Sequence, residues 1–342
     1  MSENSKNDTP ANSGSLPSQI EWVCAGFGFP DQEVSVTRAG RGAMGQIWRI
    51  DTVRGSFAVK EMSWSEGWEH VETEVALRDL AAGAGVTAPE NIPTVNGGHV
   101  LSGPDGARLR AYSWVEGSPV ADAETQRGAA RWLGTTLARL HGLRVSAAGL
   151  PVDPWYEAVP DAGDWKELLS AAAEAKAPWY GELAAKAEQI SALGGWVAPA
   201  SPDAMILCHR DLQSSNVLRL GGQDHALLDW DDVGPAVPER ELASVLLRWY
   251  THGSDVDSGA VSEALAAYVA HGGSVDLSEE SMSMQLAITL NHIFTQGHVA
   301  LDADHASDLR DFAGDQLDTT LRSLPEPEGV RKVLALAAEA GR

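Results

Sequence analysis

Near residue 116 the chain changes grain. From about Val34 to Val115, apolar residues alternate over short runs: VSVTRA, QIWRID and SFAVKEM, then HVLSG and ARLRAYSWV around the turn PDG. A period of two marks half-buried strands, and the Gly/Pro/Asp clusters between the runs mark turns. After the third run, an apolar-periodic stretch near Glu66–Ala82 predicts one helix. Beyond EGSPV the runs lengthen into Ala/Leu-rich stretches with helical spacing, among them ETQRGAARWLGTTLARLHGL, ERELASVLLRWY and SMQLAITLNHIF. A single hairpin, NVLRL-GGQD-HALLDW, interrupts them. The pattern predicts an α+β chain of two units. Residues 16–117 form a small antiparallel five-stranded unit with one helix, residues 118–342 a larger, mainly helical one, and residues 1–15 a disordered tail.

With 342 residues and 44% hydrophobic content, both units can bury a core. No run of eighteen apolar residues appears, and the N-terminus lacks a basic start followed by an apolar stretch, so the expectation is a cytoplasmic protein without a membrane partner. Cys24 and Cys208 stand far apart and form neither a disulfide framework nor a zinc pattern; both read as small buried hydrophobes. The chain carries 48 acidic against 25 basic residues, a net charge of −23. Such a surface repels nucleic acid and would attract a cationic small molecule, beside the plain reading that the charge keeps the protein soluble.

Gly40 to Ile47 reads G-R-G-A-M-G-Q-I. Gly40, Gly42 and Gly45 fit a glycine-rich loop in which backbone amides approach phosphate oxygens with no Cβ in the way. A dinucleotide fold would need a helix to follow at once, whereas QIWRID is strand-patterned, and the Gly-Lys-Ser/Thr of a Walker loop is absent. Lys60 ends the strand SFAVK and is the only lysine between Lys6 and Lys166. It is a compact positive charge suited to phosphates. Glu74 on the following helix could pair with it, with Glu72 as the alternative, since register is not readable from the sequence.

CHRDLQSSNVL places Asp211 and Asn216 five positions apart. In this spacing the aspartate orients or deprotonates an attacking hydroxyl and the asparagine holds a metal ion. Asp229, in LLDWDD at the end of an apolar strand, would supply a further oxygen ligand to magnesium. His209 and Arg210 read as residues that hold the loop.

Together these residues resemble the aminoglycoside phosphotransferase (APH) family within the bilobal protein-kinase-like fold. The likeness extends over roughly Val34–Trp249, through LGTTLARLHGL, CHRDLQSSNVL and LLDWDDVGPAVPERELASVLL. Asp229-Trp230-Asp231 stands where protein kinases carry Asp-Phe-Gly, and about seven residues later the next helix begins, too soon for a peptide-docking segment. The resemblance implies an ATP site between the lobes, with backbone contacts from Ser113, Trp114 and Val115. It casts Asp211 as base, Asn216 and Asp229 as ligands for Mg2+, and Lys60 with Glu74 as the phosphate-positioning pair. Asp231 matches a second acid that touches metal or substrate, while Glu241 falls where relatives often have Asp.

The resemblance also implies an acceptor cleft lined by carboxylates, with Asp232, Glu239, Asp153, Glu157, Asp161 and Asp164 as candidates. Trp155 and Trp165 could stack on a ring of the acceptor or simply pack. The expected activity is γ-phosphate transfer to a hydroxyl of a cationic, aminoglycoside-like antibiotic. Two other readings are a metabolic kinase of a sugar, amino sugar or amino alcohol, and a nucleotide-binding protein without turnover. The acceptor and the oligomeric state are not legible.

Overall fold

The computed structural model describes residues 16–42, 45–62, 70–103 and 106–342; the expected tail at 1–15 lies outside them. A short 3-10 turn leads into helix α1 (Ile20–Phe27), which closes on Gly28 at φ 67°, a left-handed position that suits glycine. The strands β1 (Ser35–Gly42), β2 (Gly45–Thr52) and β3 (Gly55–Met62) follow as an antiparallel meander. Helix α2 (Val71–Gly83) comes next, then β4 (Asn91–Ile92), β5 (Leu101–Ser102) and β6 (Arg108–Ser113). Sheet order is β1-β2-β3-β6-β4, with β5 also paired to β6. This makes six strands where five were expected, because β4 spans two residues and is too short to show alternation. The expected start of the helix at Glu66 lies outside the described residues.

Helix α1 was not expected. Its Val23, Cys24 and Phe27 cover the sheet residues Ile50, Val59 and Leu109, and together they make a small core. Leu77 and Ala81 of α2 belong instead to the larger core of the helical half.

After the connector, β7 (Ser118–Pro119) and helices α3 (Ala123–Gly128), α4 (Ala130–Gly142), α5 (Ala162–Glu174) and α6 (Tyr180–Gly194) lead to a loop-rich segment. That segment holds β8 (Ile206–Cys208), β9 (Val217–Gly221), β10 (Asp224–Leu227) and β11 (Gly234–Ala236). β9 and β10 are the expected hairpin; β7 adds to its free edge, and β11 pairs with β8.

Helix α7 (Pro238–Tyr250) opens with proline, which has no amide to leave unsatisfied, and with two glutamates that suit the positive end of the helix. Its Leu242, Leu246 and Leu247 are fully buried, and each such side chain contributes roughly 1.5–3 kcal/mol. Helices α8 (Ser258–Ala270), α9 (Ser283–Leu301), α10 (Ser307–Arg322) and α11 (Pro327–Ala340) complete the larger core. Helix α4 packs on α8 so closely that a Cβ on Gly134 would sit 1.9 Å from the Ala264 carbonyl oxygen.

Candidate active site

The stretch between β8 and α7 holds two non-glycine residues in the left-handed region, Arg210 at φ 64° and Asp229 at φ 53°. Such backbone costs on the order of 1 kcal/mol and persists where its surroundings fix it. Around Arg210 those surroundings are visible. Its amide donates to Glu241 Oε1 (2.6 Å), its Nε donates to the Asp232 carbonyl (2.6 Å), and its guanidinium lies 4.1 Å over the Tyr156 ring. The other oxygen of Glu241 meets His141 Nε2 at 2.7 Å, and His141 Nδ1 meets the Tyr268 hydroxyl at 2.8 Å. Burial pushes the Glu241 carboxyl up, but His141 and the Arg210 amide outweigh it and hold the group below its usual range. Glu241 therefore ties the loop to His141 on α4. His209 is fully buried, edge-on to Trp230, and its burial lowers its pKa.

Asp211 and Asn216 come together at the bottom of this loop. Asp211 Oδ2 accepts from Asn216 Nδ2 (2.7 Å) and from Gln213 Nε2 (3.0 Å), while Arg248 Nη1 lies 3.3 Å from Oδ1. Because the Asn216 amide nitrogen is spent on Asp211, its carbonyl oxygen is the atom left for a metal.

Lys60 reaches these loops from β3. Its Nζ lies 2.8 Å from Asp229 Oδ1 and 2.6 Å from Asp231 Oδ2. Burial works against the lysine charge, yet the two carboxylates prevail and raise its pKa. The expected partner on α2 is engaged elsewhere. Glu74 takes Arg110 in two bonds of 2.5 and 2.7 Å, and Glu72 lies 3.0 Å from His99. Neither glutamate pairs with Lys60, which corrects the sequence expectation. Arg110 stands opposite Lys60 in the β3–β6 register, and its planar fork of donors matches a carboxylate better than a lysine does. Arg110 also bonds Asp231 Oδ1 (3.1 Å) and Asn91 Oδ1 (3.1 Å).

The carboxylates respond differently. Burial and the neighbouring Asp231 push Asp229 up despite Lys60. Burial acts to raise Asp231 as well, but Lys60 and Arg110 hold it below its usual range. Asp232 is exposed, yet its carboxyl is pushed up to about 6 by partial desolvation and by its acidic neighbours, Asp211 first among them.

Most of the acids expected to line an acceptor cleft are occupied locally. Asp153 caps the Trp155 amide (2.9 Å). Glu157 is 8% exposed, bonded to the Ala200 amide and paired with Arg240 at 3.2 Å. Asp161 and Asp164 form the capping box of α5. Asp232 and Glu239 carry no such bond among the described residues. Trp165 packs edge-on to Phe294 and, with Leu169, Leu183 and Ile190, lines a cavity of about 460 Å³ between α5 and α6; Trp155 packs beside Tyr156. Gly42 pairs with Gly45 at the tip of the β1–β2 hairpin, Gly40 follows a bulge, and residues 43–44 lie outside the described set. In the connector, the Ser113 amide donates to Glu90 O and the Trp114 amide to Ser56 O.

The family model of the phosphotransferase enzyme family (APH) matches residues 35–279, well over half of the chain. The chain belongs to this family. Among solved structures, a spectinomycin phosphotransferase in complex with ADP and spectinomycin is 16% identical, with a TM-score of 0.67 over 94% of this chain and 98% of that one. An amicoumacin kinase in complex with AMP-PNP, Ca2+ and its ligand is also 16% identical, with a TM-score of 0.60 over 94% and 97%. The ethanolamine kinase of Plasmodium vivax is 13% identical, with a TM-score of 0.52 over 91% and 89%. No curated protein matches by sequence. The fold is thus the α+β, protein-kinase-like fold of these phosphotransferases, and the enzyme is a phosphotransferase with an alcohol group as acceptor. No helix among the described residues is long and apolar enough to cross a membrane.

Sequence reading missed several residues of this candidate site. Arg110 lay in a strand read only for its period, and Asn91 in a two-residue strand that the sequence pattern did not show. Gln213 sits inside CHRDLQSSNVL, and His141 inside the quoted LHGL. Arg248 follows Glu241 by seven residues, two helical turns, a spacing that could have placed both on the face of α7 that meets the loop.

Proposed function

We propose that this enzyme transfers the γ-phosphoryl group of ATP to a hydroxyl of a small molecule, with Asp211 as the base. One juxtaposition carries the reading: Lys60 from the sheet meets Asp229 and Asp231 from the helical half, on the same cleft as the Asp211–Asn216 pair. Asp211 Oδ1 orients the acceptor hydroxyl and takes its proton, while Asn216 and Gln213 keep the other carboxylate oxygen fixed. Lys60 gives its charge to the nucleotide phosphates. The glycines Gly40, Gly42 and Gly45 let backbone amides close over them, and Ser113, Trp114 and Val115 border the base. With the Ser113 and Trp114 amides donated within the protein, the Val115 amide and the carbonyls face that role.

Magnesium fits the residues present. Desolvation pushes both Asp229 and Asp232 up, and the neighbouring carboxylates add to it, a setting that a bound cation would relieve. The Asn216 carbonyl oxygen and the Asp229 carboxylate would hold the ion, with Asp231 beside them, and its charge would neutralise the phosphate oxygens. Positioning and charge neutralisation, rather than covalent work by the protein, then carry the rate.

For the acceptor, Asp232 and Glu239 favour a cation, such as an antibiotic bearing an ammonium group. An amino alcohol is the second reading, favoured by the likeness to an ethanolamine kinase. The test is magnesium-dependent ADP release from ATP with panels of aminoglycosides, amicoumacin-like antibiotics, amino sugars and amino alcohols. Asp211→Asn should lose turnover with every acceptor. ADP release undiminished in that variant would remove the assignment of the base.

A further inference from the structure

Arg248 has no place in the machinery described so far, yet its guanidinium is in the site. It projects from the last turn of α7 and is about one-third exposed. One nitrogen lies 3.3 Å from Asp211 Oδ1, and the other donates to Gln213 Oε1. Gln213 in turn donates to Asp211 Oδ2 (3.0 Å), so guanidinium, amide and carboxylate close a ring around the base. The ring is anchored from behind, because Trp249 donates from its indole to the Leu212 carbonyl (2.9 Å) and Glu241 holds the Arg210 amide. Burial lowers the pKa of the neighbouring His292, and the charge of Arg248 adds to that effect. Arg248 thus sets a partly exposed cation beside Oδ1 of the base, on a chain whose net charge is −23.

We propose that Arg248 is a catalytic residue that neutralises the phosphoryl group as it passes to the acceptor. This rests on Asp211 being the base. The acceptor hydroxyl must approach Oδ1, the oxygen next to Arg248, so the phosphorus it attacks comes within reach of the same guanidinium. The acceptor O–P bond forms, the bond from Pγ to the β–γ bridging oxygen breaks, ADP leaves with that electron pair, and the hydroxyl proton passes to Asp211. As Asp211 becomes neutral it loses its hold on Arg248, at the moment when charge builds on the phosphoryl oxygens. The guanidinium changes partner without moving far, and its fork suits the phosphoryl oxygens as it suits a carboxylate.

The test needs no acceptor. Wild type, Arg248→Ala, Arg248→Lys and Asp229→Ala are titrated calorimetrically with Mg-AMP-PNP, a ground-state probe, and with MgADP plus aluminium fluoride, a planar mimic of the transferring group. Slow hydrolysis of MgATP by water is followed with and without added guanidinium. Arg248→Ala should bind Mg-AMP-PNP within about twofold of wild type, bind the aluminium fluoride complex on the order of 100-fold more weakly, and lose hydrolysis in proportion. Guanidinium should restore part of that loss, and Arg248→Lys should fall between. Equal weakening toward both probes, or toward neither, overturns the proposal. So does lost hydrolysis that guanidinium leaves unchanged, since that is the behaviour of a prop for the loop. Were wild type to bind neither probe, or Asp229→Ala to bind both as wild type does, the nucleotide reading itself would fail.

Discussion

Replacing Arg110 by methionine separates two jobs that a kinase-like lysine–glutamate pair would combine. In this protein Glu74 is held by Arg110, and Lys60 by the two aspartates. The arginine side chain is 2% exposed and makes bonds to Glu74, Asp231 and Asn91. Removing it leaves the Glu74 carboxylate buried without its cation, and breaking a buried pair in this way costs roughly 3–5 kcal/mol. For a chain of this size, that corresponds to a fall in Tm of roughly 4–7 °C. The sign with pH follows from Glu74. Burial already raises its pKa in the folded state, against the pull of Arg110. A carboxyl raised on folding costs stability as pH rises through and above its unfolded value near 4.5. Without Arg110 the shift grows, so the deficit of the variant should be small at pH 4 and widen toward pH 8. Thermal unfolding read by tryptophan fluorescence at several pH values measures this, and the double variant Arg110→Met, Glu74→Gln should recover much of the loss. A double variant no more stable than the single one would refute the pairing as the source of the effect. Lys60→Met removes a buried cation from Asp229 and Asp231, so it should lower stability as well as abolish turnover.

Further expectations follow from the same geometry. Asp229→Ala should lower turnover by at least about 100-fold while unfolding near the wild-type temperature; activity within tenfold of wild type would remove the metal assignment. Asp232, pushed up to about 6, destabilises the folded protein when ionised, so Asp232→Asn should be the more stable protein at pH 7 and lose that advantage below about pH 4, as thermal unfolding across pH would register. Glu241→Ala should cost roughly 3–5 kcal/mol in chemical denaturation, since it leaves the buried His141 and the Arg210 amide without their acceptor. Gly134→Ala should cost about 2–3 kcal/mol by the same assay, because its methyl would strike main chain that cannot rotate away.

What could be read in advance divides along physical lines. Strand period, helical spacing and Pro or Gly punctuation are local, so the sheet meander, the β9–β10 hairpin and helix α7 follow from neighbouring residues. The acids Asp211 and Asp229 and the amide of Asn216 could also be named, because loop chemistry fixes their spacing. Partnership is not local. Arg110 reaches Glu74 across 36 positions, and Lys60 reaches Asp229 across 169, through a register that no single strand carries. The local engagement of Asp153 and Glu157 was hidden for a similar reason. An acid on an acidic chain looks free until the amide or arginine that uses it is in place, as the Trp155 amide and Arg240 are here.

At position 134 a hydrogen atom stands where any other residue would put carbon, and the crossing of α4 over α8 depends on it. His141 lies two turns farther along α4, and Tyr268 lies on α8 with its own amide nitrogen 3.0 Å from that missing carbon. The imidazole–phenol contact is therefore set by how deeply the two helices nest, and through Glu241 it reaches the backbone beside Asp211. Substitutions buried in this crossing, remote from any ligand, would work like a shim under a hinge: they would tilt the loop and alter the rate before they unfolded the protein.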